Sequence, residues 1–300
     1  RYPSPLGLWQ RQVRIPASDT VRVYPDVHAI RAFELLARQD REYAFVRATR
    51  LQGGESEFER LREYTKDDEY RSIDWKATAR RQKLIARQYQ LERNQNLFFM
   101  LDAGRLMTAE TAGLSQFDHA LNAMLMLAHV AARGGDRVGM LAFDEGMRRF
   151  VAPAGGPSAT RRLIQSSYDL HPALVEADYD RAFEQMALRV RKRSLVVLFT
   201  QINDDAVAKL VVQRTRALQG RHLTLLVLFR DVEVDALLET ESKSAADLYT
   251  LGAAAELVRW REGLIRELRR AGALVLDVHP RELTTALVNR YLEIKARHLL

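Results

Sequence analysis

From residue 95 to the end of the chain, the hydrophobic pattern predicts short buried strands that alternate with amphipathic helices. Runs such as residues 194–200 are almost continuously apolar, which is typical of strands buried on both faces of a parallel sheet. This alternation predicts a doubly wound, mostly parallel α/β sheet covered by helices. The predicted strands are residues 96–101, 137–143, 147–151, 194–200, 222–229 and 273–278, and the predicted helices are residues 116–133, 158–168, 179–190, 204–218, 244–270 (one or two helices) and 281–298.

The residues before this domain carry a weaker pattern, which predicts a small α+β extension. We place the domain boundary between an N-terminal extension, residues 1–94, and an α/β domain, residues 95–300. The extension is predicted to contain strands at residues 21–25 and 84–91, a helix at residues 27–38 and a glycine-bearing loop at residues 52–56.

The carboxyl-terminal edge of the predicted sheet is the expected ligand-binding position, because ligands of such folds bind beyond the ends of the strands. In this chain the edge is predicted to carry Asp102, residues 200–205, and the loops around Arg230 and His279.

Composition narrows the class of protein only slightly. The 300 residues are 47% hydrophobic and 28% charged, which is ordinary for a globular protein, and the formal net charge of +7 permits acidic partners without requiring them. The absence of cysteine excludes disulfides and thiolate metal sites. No apolar run reaches transmembrane length. The chain opens with the turn-rich segment RYPSPLGLWQ, so we expect an upstream part, which could include a membrane anchor, to be missing.

The sequence contains none of the common catalytic motifs. It has no phosphate-binding loop with its lysine, no dinucleotide-binding glycine fingerprint, no HExxH pair and no GxSxG elbow. The seven histidines are scattered, and none pairs with another at metal-ligand spacing. We therefore predict no catalytic residues and a protein that is not an enzyme.

Residues 57–81 form the most distinctive segment of the chain. It contains 14 charged residues, seven acidic and seven basic, interspersed with Phe58, Tyr64, Tyr70 and Trp75. A disordered charged run would lack the aromatics, and a nucleic-acid patch would be predominantly basic. The pattern predicts a folded, ion-paired segment.

This segment resembles the signature of the DUF58 family, and the resemblance extends over most of the chain. The departure from the family pattern is Asp67, where glycine is usual. The matching positions are Phe58, Leu61, Arg62, Tyr64, Asp68, Arg71, Ile73, Asp74, Trp75, Ala79 and Arg80.

The resemblance implies a fold, a location and a partner. The α/β domain is expected to be similar to a von Willebrand factor A (vWA) domain. Family members typically carry upstream transmembrane helices, which implies the bacterial inner membrane, with this soluble region facing the cytoplasm. The implied partner is a MoxR-type AAA+ ATPase, an inference by association.

The signature residues have three possible roles. They could hold the segment together through ion pairs and aromatic packing, form an exposed docking surface, or, least favoured, take part in catalysis through Asp67, Asp68 or Asp74. The partner-binding or structural set is Arg62, Tyr64, Asp67, Asp68, Arg71, Asp74, Trp75 and Arg80.

The resemblance also implies a degenerate metal-ion-dependent adhesion site (MIDAS). Many vWA domains bind Mg²⁺ through a D-x-S-x-S loop, a threonine and a second aspartate, since a hard cation prefers oxygen ligands. Here Asp102 remains, but Gly104 and Leu106 replace the serines and Gln201 replaces the aspartate. Mg²⁺ is therefore disfavoured, with Asp102 as a weak candidate ligand. Asp102 could instead form an ion pair with Arg105 or another nearby cation, or it could cap the following turn. The degenerate MIDAS face is Asp102, Gly104, Arg105, Leu106, Thr200 and Gln201.

The favoured function is a non-enzymatic vWA-type interaction module that serves as an adaptor for a MoxR-type ATPase. A metal-dependent adhesion module and a hydrolase that uses the acidic signature residues are the alternatives. Nucleic-acid binding is disfavoured, because Glu92 dilutes the basic residues nearby. Those residues are Arg80, Arg81, Lys83, Arg87 and Arg93.

Overall fold

The computed structural model describes residues 2–3, 8, 10–11, 58–64, 70, 73–89, 95–239, 245–297 and 299–300. The elements predicted at residues 21–25, 27–38 and 52–56 lie outside this part of the chain. The strands are β1 (Tyr2–Pro3), β2 (Gln10–Arg11), β3 (Phe58–Glu63), β4 (Ile85–Tyr89), β5 (Asn96–Asp102), β6 (Glu110–Thr111), β7 (Leu114–Ser115), β8 (Arg137–Phe143), β9 (Met147–Ala154), β10 (Ser194–Thr200), β11 (Leu223–Phe229) and β12 (Leu274–Val278). The α-helices are α1 (Trp75–Arg81), α2 (Gln116–Arg133), α3 (Pro157–Ser167), α4 (Tyr179–Arg189), α5 (Asp205–Leu218), α6 (Val232–Glu239), α7 (Ala245–Arg270) and α8 (Leu283–Ala296).

A six-stranded sheet organises the domain, in the order β12-β11-β10-β5-β8-β9. Every neighbouring pair is parallel except β8 and β9, which form an antiparallel edge. Strands β5 and β10 lie side by side at the centre, in the register Ser194 to Asn96. The predicted doubly wound, mostly parallel α/β fold is confirmed.

Helices cover both faces of the sheet because alternate side chains of each strand point to opposite sides. Phe99, Leu101 and Phe199 face α2, α3 and α8, whereas Phe98 and Leu198 face α4, α5 and α7. All seven residues of β5 and all seven of β10 are buried. Burying each large apolar side chain contributes about 1.5–3 kcal/mol, so these two strands anchor the domain.

Local signals explain which element boundaries the sequence predicted well. Helix α2 begins where predicted, since Ser115 and Asp118 form a capping box. The region predicted as one or two helices contains the single long helix α7, Ala245–Arg270. Helix α6 was not predicted; Asp231 begins it by accepting a hydrogen bond from the Glu233 N–H at 2.9 Å. The start predicted for the last helix was two residues early, because Pro280–Glu282 is a 3₁₀ turn.

The described part of the N-terminal extension is a small hairpin joined to a helix. Strands β3 and β4 pair antiparallel, and Ile73 makes an isolated bridge to Ala86. Ile73, Ile85 and Ala86 are buried. The strand predicted at residues 84–91 is therefore present, while β3 and α1 lie in the segment identified only by its charge and signature. The domain boundary at residue 94 stays a prediction. Among the described helices, none has the length and apolar character needed to span a bilayer.

A buried ion pair joins the last helix, α8, to the residue that precedes strand β8. Asp136, which precedes β8, accepts hydrogen bonds from the Tyr291 hydroxyl and from Lys295 Nζ, the latter at 2.8 and 3.0 Å. The Asp136 side chain is 1% exposed and that of Lys295 is 12% exposed. Burial and the Asp136 carboxylate raise the pKa of Tyr291, so its hydroxyl keeps the proton it donates.

Replacing Lys295 by Met should lower the free energy of unfolding by about 3–5 kcal/mol, because it leaves the buried Asp136 charge unpaired. Urea denaturation would register a lower midpoint at an unchanged slope. The matched control is Arg297→Ala, which removes an exposed partner of Glu293 and should cost no more than about 1 kcal/mol. Equal effects of the two substitutions would contradict a buried-charge origin, as would failure of Asp136→Asn to restore stability to the Lys295→Met variant.

Candidate functional site

Three oxygen-bearing side chains converge where the two central strands end. Asp102 is the last residue of β5, Thr200 is the last of β10, and Tyr179 is the first of α4. The Tyr179 and Thr200 hydroxyls each lie 2.7 Å from Asp102 Oδ2 and 2.7 Å from each other. The Gly104 N–H donates to Asp102 Oδ1 at 2.8 Å. We call Asp102, Tyr179 and Thr200 the Asp102 network.

The proton count of this network favours a neutral carboxyl. Three O···O contacts share only two hydroxyl protons when Asp102 is ionised, whereas a protonated Asp102 supplies the third and closes the cycle. Burial raises the pKa of Asp102 above its usual range, opposed by the hydrogen bonds from Thr200, Gly104 and Tyr179, and the nearby Asp144 charge adds to the rise. The pKa of Tyr179 is also raised, by burial and by Asp102, so its hydroxyl stays protonated.

Backbone hydrogen bonds join the neighbouring loops to this network. The Ala103 N–H donates to the Phe143 carbonyl at 2.7 Å, and the Arg105 N–H donates to the Val175 carbonyl at 2.8 Å. The loop of residues 173–178 thus lies directly against the turn that follows β5. Asp144, buried at the end of β8, accepts from Arg148 at 2.8 Å. Asp102 and Asp144, the two buried acids at this edge of the sheet, therefore both have hydrogen-bond partners within the protein.

The residues present do not fit the metal site that the resemblance implies. A Cβ atom on Gly104 would lie 3.1 Å from the Ala177 side chain, the Val175 carbonyl and Asp102 Oδ1, so a serine there would crowd its neighbours. Leu106 offers no ligand atom, and Gln201 Oε1 accepts a hydrogen bond from the Phe229 N–H at 3.3 Å. Within the described residues, no group of three or more His, Cys, Asp or Glu side chains could hold a metal ion. Absence of metal nevertheless stays a prediction.

The suggested ion pair between Asp102 and Arg105 is wrong. Arg105 instead pairs with Glu176 across the exposed side of the loop of residues 173–178. The capping alternative is closer, since Asp102 does accept from the Gly104 N–H in the following turn. Sequence reasoning missed Tyr179 entirely, because it lies 77 residues from Asp102 and no motif marks it.

The loops around Arg230 and His279, also predicted at this edge, both contact Asp235. Arg230 lies 3.0 Å and His279 lies 3.4 Å from Asp235 Oδ2 of α6. Asp204 caps α5 by accepting from the Val207 N–H at 2.9 Å. The structure therefore brings Asp102 and Thr200 together, as the sequence predicted, and gives Asp204, Arg230 and His279 local structural partners.

The described signature residues divide between a structural and an exposed group. Asp74 caps α1 by accepting from the Ala77 N–H at 3.0 Å, and its own N–H donates to the Ile85 carbonyl at 2.8 Å. The half-buried Tyr64 donates its N–H to the Leu84 carbonyl.

Trp75 and Arg80 belong to the exposed group. Trp75 is 55% exposed, and its ring meets that of the 70% exposed Tyr70 edge-on at 5.6 Å. Arg80 lies exposed in the last turn of α1. The backbone of Arg62 lies in β3, while Asp67, Asp68 and Arg71 fall outside the described residues.

Asp102→Asn should gain stability relative to the parent chain as the pH rises. Because the folded-state pKa of Asp102 is raised above its ordinary 3.8, ionisation destabilises the fold, beginning above pH 3.8 and growing until the pH passes the folded pKa. Asparagine keeps an acceptor for Gly104 and a donor for the hydroxyls, but carries no charge. Urea denaturation across this pH range measures the difference, and an opposite slope would mean that the pKa is depressed.

Tyr179→Phe should lower the free energy of unfolding by about 1–3 kcal/mol, since it removes the hydroxyl shared by Asp102 and Thr200 inside the protein. Tyr168→Phe, at a half-buried tyrosine outside this network, is the control, and equal losses in the two variants would contradict the assignment.

Comparison with known proteins finds one curated relative with low sequence identity. The chain is 21% identical over 206 residues to the uncharacterised protein YeaD of Bacillus subtilis (strain 168), covering 67% of this chain and 48% of that protein. The chain thus spans about half the length of the curated relative it matches.

Solved structures with similarity include a mutant of the PilB minor pilin from Streptococcus sanguinis and an aerotolerance-related membrane protein from Bacteroides fragilis NCTC 9343. The first is 11% identical with a TM-score of 0.48, covering 71% of this chain and 65% of the pilin. The second is 14% identical with a TM-score of 0.43, covering 67% of this chain and 99% of that protein.

The family model described as "Protein of unknown function DUF58" matches residues 60–248, which is more than half of the chain. The match begins inside the signature segment, covers five of the six strands of the sheet (β5 and β8 to β11) and ends in the first turn of α7. The chain therefore belongs to the DUF58 family.

Proposed function

We propose that this vWA-type module is a non-enzymatic adaptor that binds a MoxR-type AAA+ ATPase at the bacterial inner membrane, through the surface around Trp75. The observation that carries the proposal is the exposed pair of Trp75 and Tyr70 beside α1. Tryptophan, tyrosine and arginine are the residues enriched at the energetic centres of protein interfaces. Trp75 is 55% exposed even with its contact to Tyr70, so a large apolar surface is open to a partner protein, which supports a docking role.

The charge around this pair indicates the chemistry of the partner surface. Lys76, Arg80 and Arg81 are all exposed on the same short helix as Trp75. Helix α1 contains no acidic residue and no buried residue. An apolar pocket rimmed by carboxylates would complement this arrangement, and a surface of that kind is expected on the ATPase.

The Asp102 network supports a role without catalysis or metal. All three side chains are buried and bonded to one another at 2.7 Å, which supports a structural role for them over that of a nucleophile open to a substrate. Membrane association and the ATPase partner rest on what the DUF58 resemblance implies, and both are part of the proposal.

Trp75→Ala should weaken capture of the cognate MoxR-type ATPase by about 30-fold, the loss expected for a residue worth about 2 kcal/mol at the centre of an interface. The melting temperature should be unchanged, since Trp75 is more than half exposed. The matched control is Tyr249→Ala, which removes an 82% exposed aromatic from α7. Binding assays with purified proteins, together with ATP turnover of the ATPase, make the measurement.

Measurements of ATPase binding and of stability together distinguish a docking role of the signature residues from a structural role. Asp74→Ala should cost about 1 kcal/mol of stability, because it removes the cap of α1. If Trp75→Ala instead unfolds the protein, or leaves ATPase binding intact, the docking role is wrong. Absence of any binding or any effect on turnover at high protein concentration would overturn the adaptor proposal as a whole.

Metal binding is tested by isothermal titration with Mg²⁺ and Mn²⁺, where we expect no heat of binding. A micromolar affinity that Asp102→Ala abolishes would overturn the metal-free proposal and favour the adhesion-type module. A screen of phosphoesters and peptides, with Asp68→Ala as the control, tests the hydrolase alternative.

A further inference from the structure

The amino-terminal edge of the sheet carries a row of exposed cations. Because β8, β5, β10, β11 and β12 are parallel, the turns that precede them all lie along one edge. The turns before β10, β11 and β12 are strongly basic. We define the basic edge as Arg191, Lys192, Arg193, Arg221, Arg269 and Arg270, all exposed.

These cations lack carboxylate partners within the part of the chain that the structure describes. Arg193 donates to the Leu299 carbonyl at 3.3 Å. Acids near this edge are otherwise engaged: Asp136 is buried against Lys295, and Glu293 pairs with Arg290 and Arg297. Glu267, exposed near the end of α7, is the nearest counter-charge in sequence. The basic edge is therefore a net positive surface open to a ligand.

The row is continuous because the sheet order places its turns next to one another. Strands β12, β11 and β10 are consecutive, so the six cations span two strand intervals, about 10 Å. Exposed Arg133 and Arg137, on either side of the turn before β8, extend the row to about 19 Å. The opposite edge is rich in exposed acids, among them Glu145, Glu176, Asp178, Asp204, Asp205, Asp231 and Glu233.

The route of the chain relates this edge to the N-terminal extension. Strand β5 is the first strand of the sheet and begins at Asn96, so residues 1–94 join the domain at its basic edge.

We infer that the basic edge lies against the headgroups of an anionic phospholipid leaflet, so that the acidic, carboxyl-terminal edge points away from the membrane. This inference rests on the membrane association in the proposed function. A row of cations along a sheet edge matches a plane of phosphates, and each Lys or Arg near such a surface strengthens binding about fivefold. The turns themselves, residues 191–193, 219–222 and 269–272, contain no Phe, Tyr or Trp, and the ring of His222 is buried, so they offer no surface on which a nucleic-acid base could stack.

The test is sedimentation of the purified chain with phosphatidylcholine vesicles, with and without phosphatidylglycerol. We expect binding only to vesicles that contain phosphatidylglycerol, and a steep loss of binding as added salt shortens the Debye length from about 10 Å at 0.1 M to about 3 Å at 1 M. The double substitution Arg191→Gln/Lys192→Gln should weaken binding about 25-fold, from two fivefold steps. Arg269→Gln/Arg270→Gln is an independent second variant with the same expected effect.

The matched control is Arg161→Gln/Arg162→Gln, which removes two exposed charges from the middle of α3, away from the strand ends. Equal loss in this control would mean that net charge alone drives binding and would overturn the inference. So would no vesicle binding, equal binding to vesicles of phosphatidylcholine alone, or tighter binding to duplex DNA that the same edge variants abolish.

ATPase capture in lipid-free solution separates this inference from the proposed adaptor role. The edge variants should retain it. Failure of capture with vesicle binding intact contradicts the adaptor role alone, whereas failure of vesicle binding with capture intact contradicts the basic-edge inference alone.

Discussion

The complete burial of β5 and β10 is the constraint on which the rest of the domain depends. Both strands lie at the centre of the sheet with helices on each face, and every residue of each is buried. Their backbone groups must therefore pair within the sheet, which fixes the register between them. Once that register is fixed, Asp102 and Thr200 are forced side by side where the strands end, however the loops around them are built.

A set of mutual hydrogen bonds stabilises Asp102 and Thr200 at these adjacent positions. A carboxyl at a buried strand end needs donors, and this chain supplies them from Thr200, from Tyr179 and from the backbone of Gly104. The close packing at Gly104 and the position of the loop of residues 173–178 are part of the same arrangement. The two ends of the domain use related devices, since Asp136 at the opposite edge is also held by a tyrosine hydroxyl.

How much the sequence could predict depended on the range of the interaction. Continuous apolar runs and local caps predicted β10 and α2 to the residue, because the signals lie within the elements themselves. The general rule for parallel sheets predicted that Asp102 and Thr200 would share an edge. Tyr179 could not be predicted, because its role is created by a contact across 77 residues, and Arg105 was assigned to Asp102 since its true partner, Glu176, is equally remote. Helix α6 was missed because its first four residues, VEVD, alternate apolar and acidic positions, a period typical of a strand.

The Tyr179 hydroxyl has a consequence for how this edge of the protein behaves over time. A bound ion dissociates and its occupancy follows its concentration, whereas a side chain fixed at the start of a helix is always present at high effective concentration. The hydroxyl that Asp102 needs is thus supplied by the polypeptide itself, at a concentration that dilution of the protein does not change.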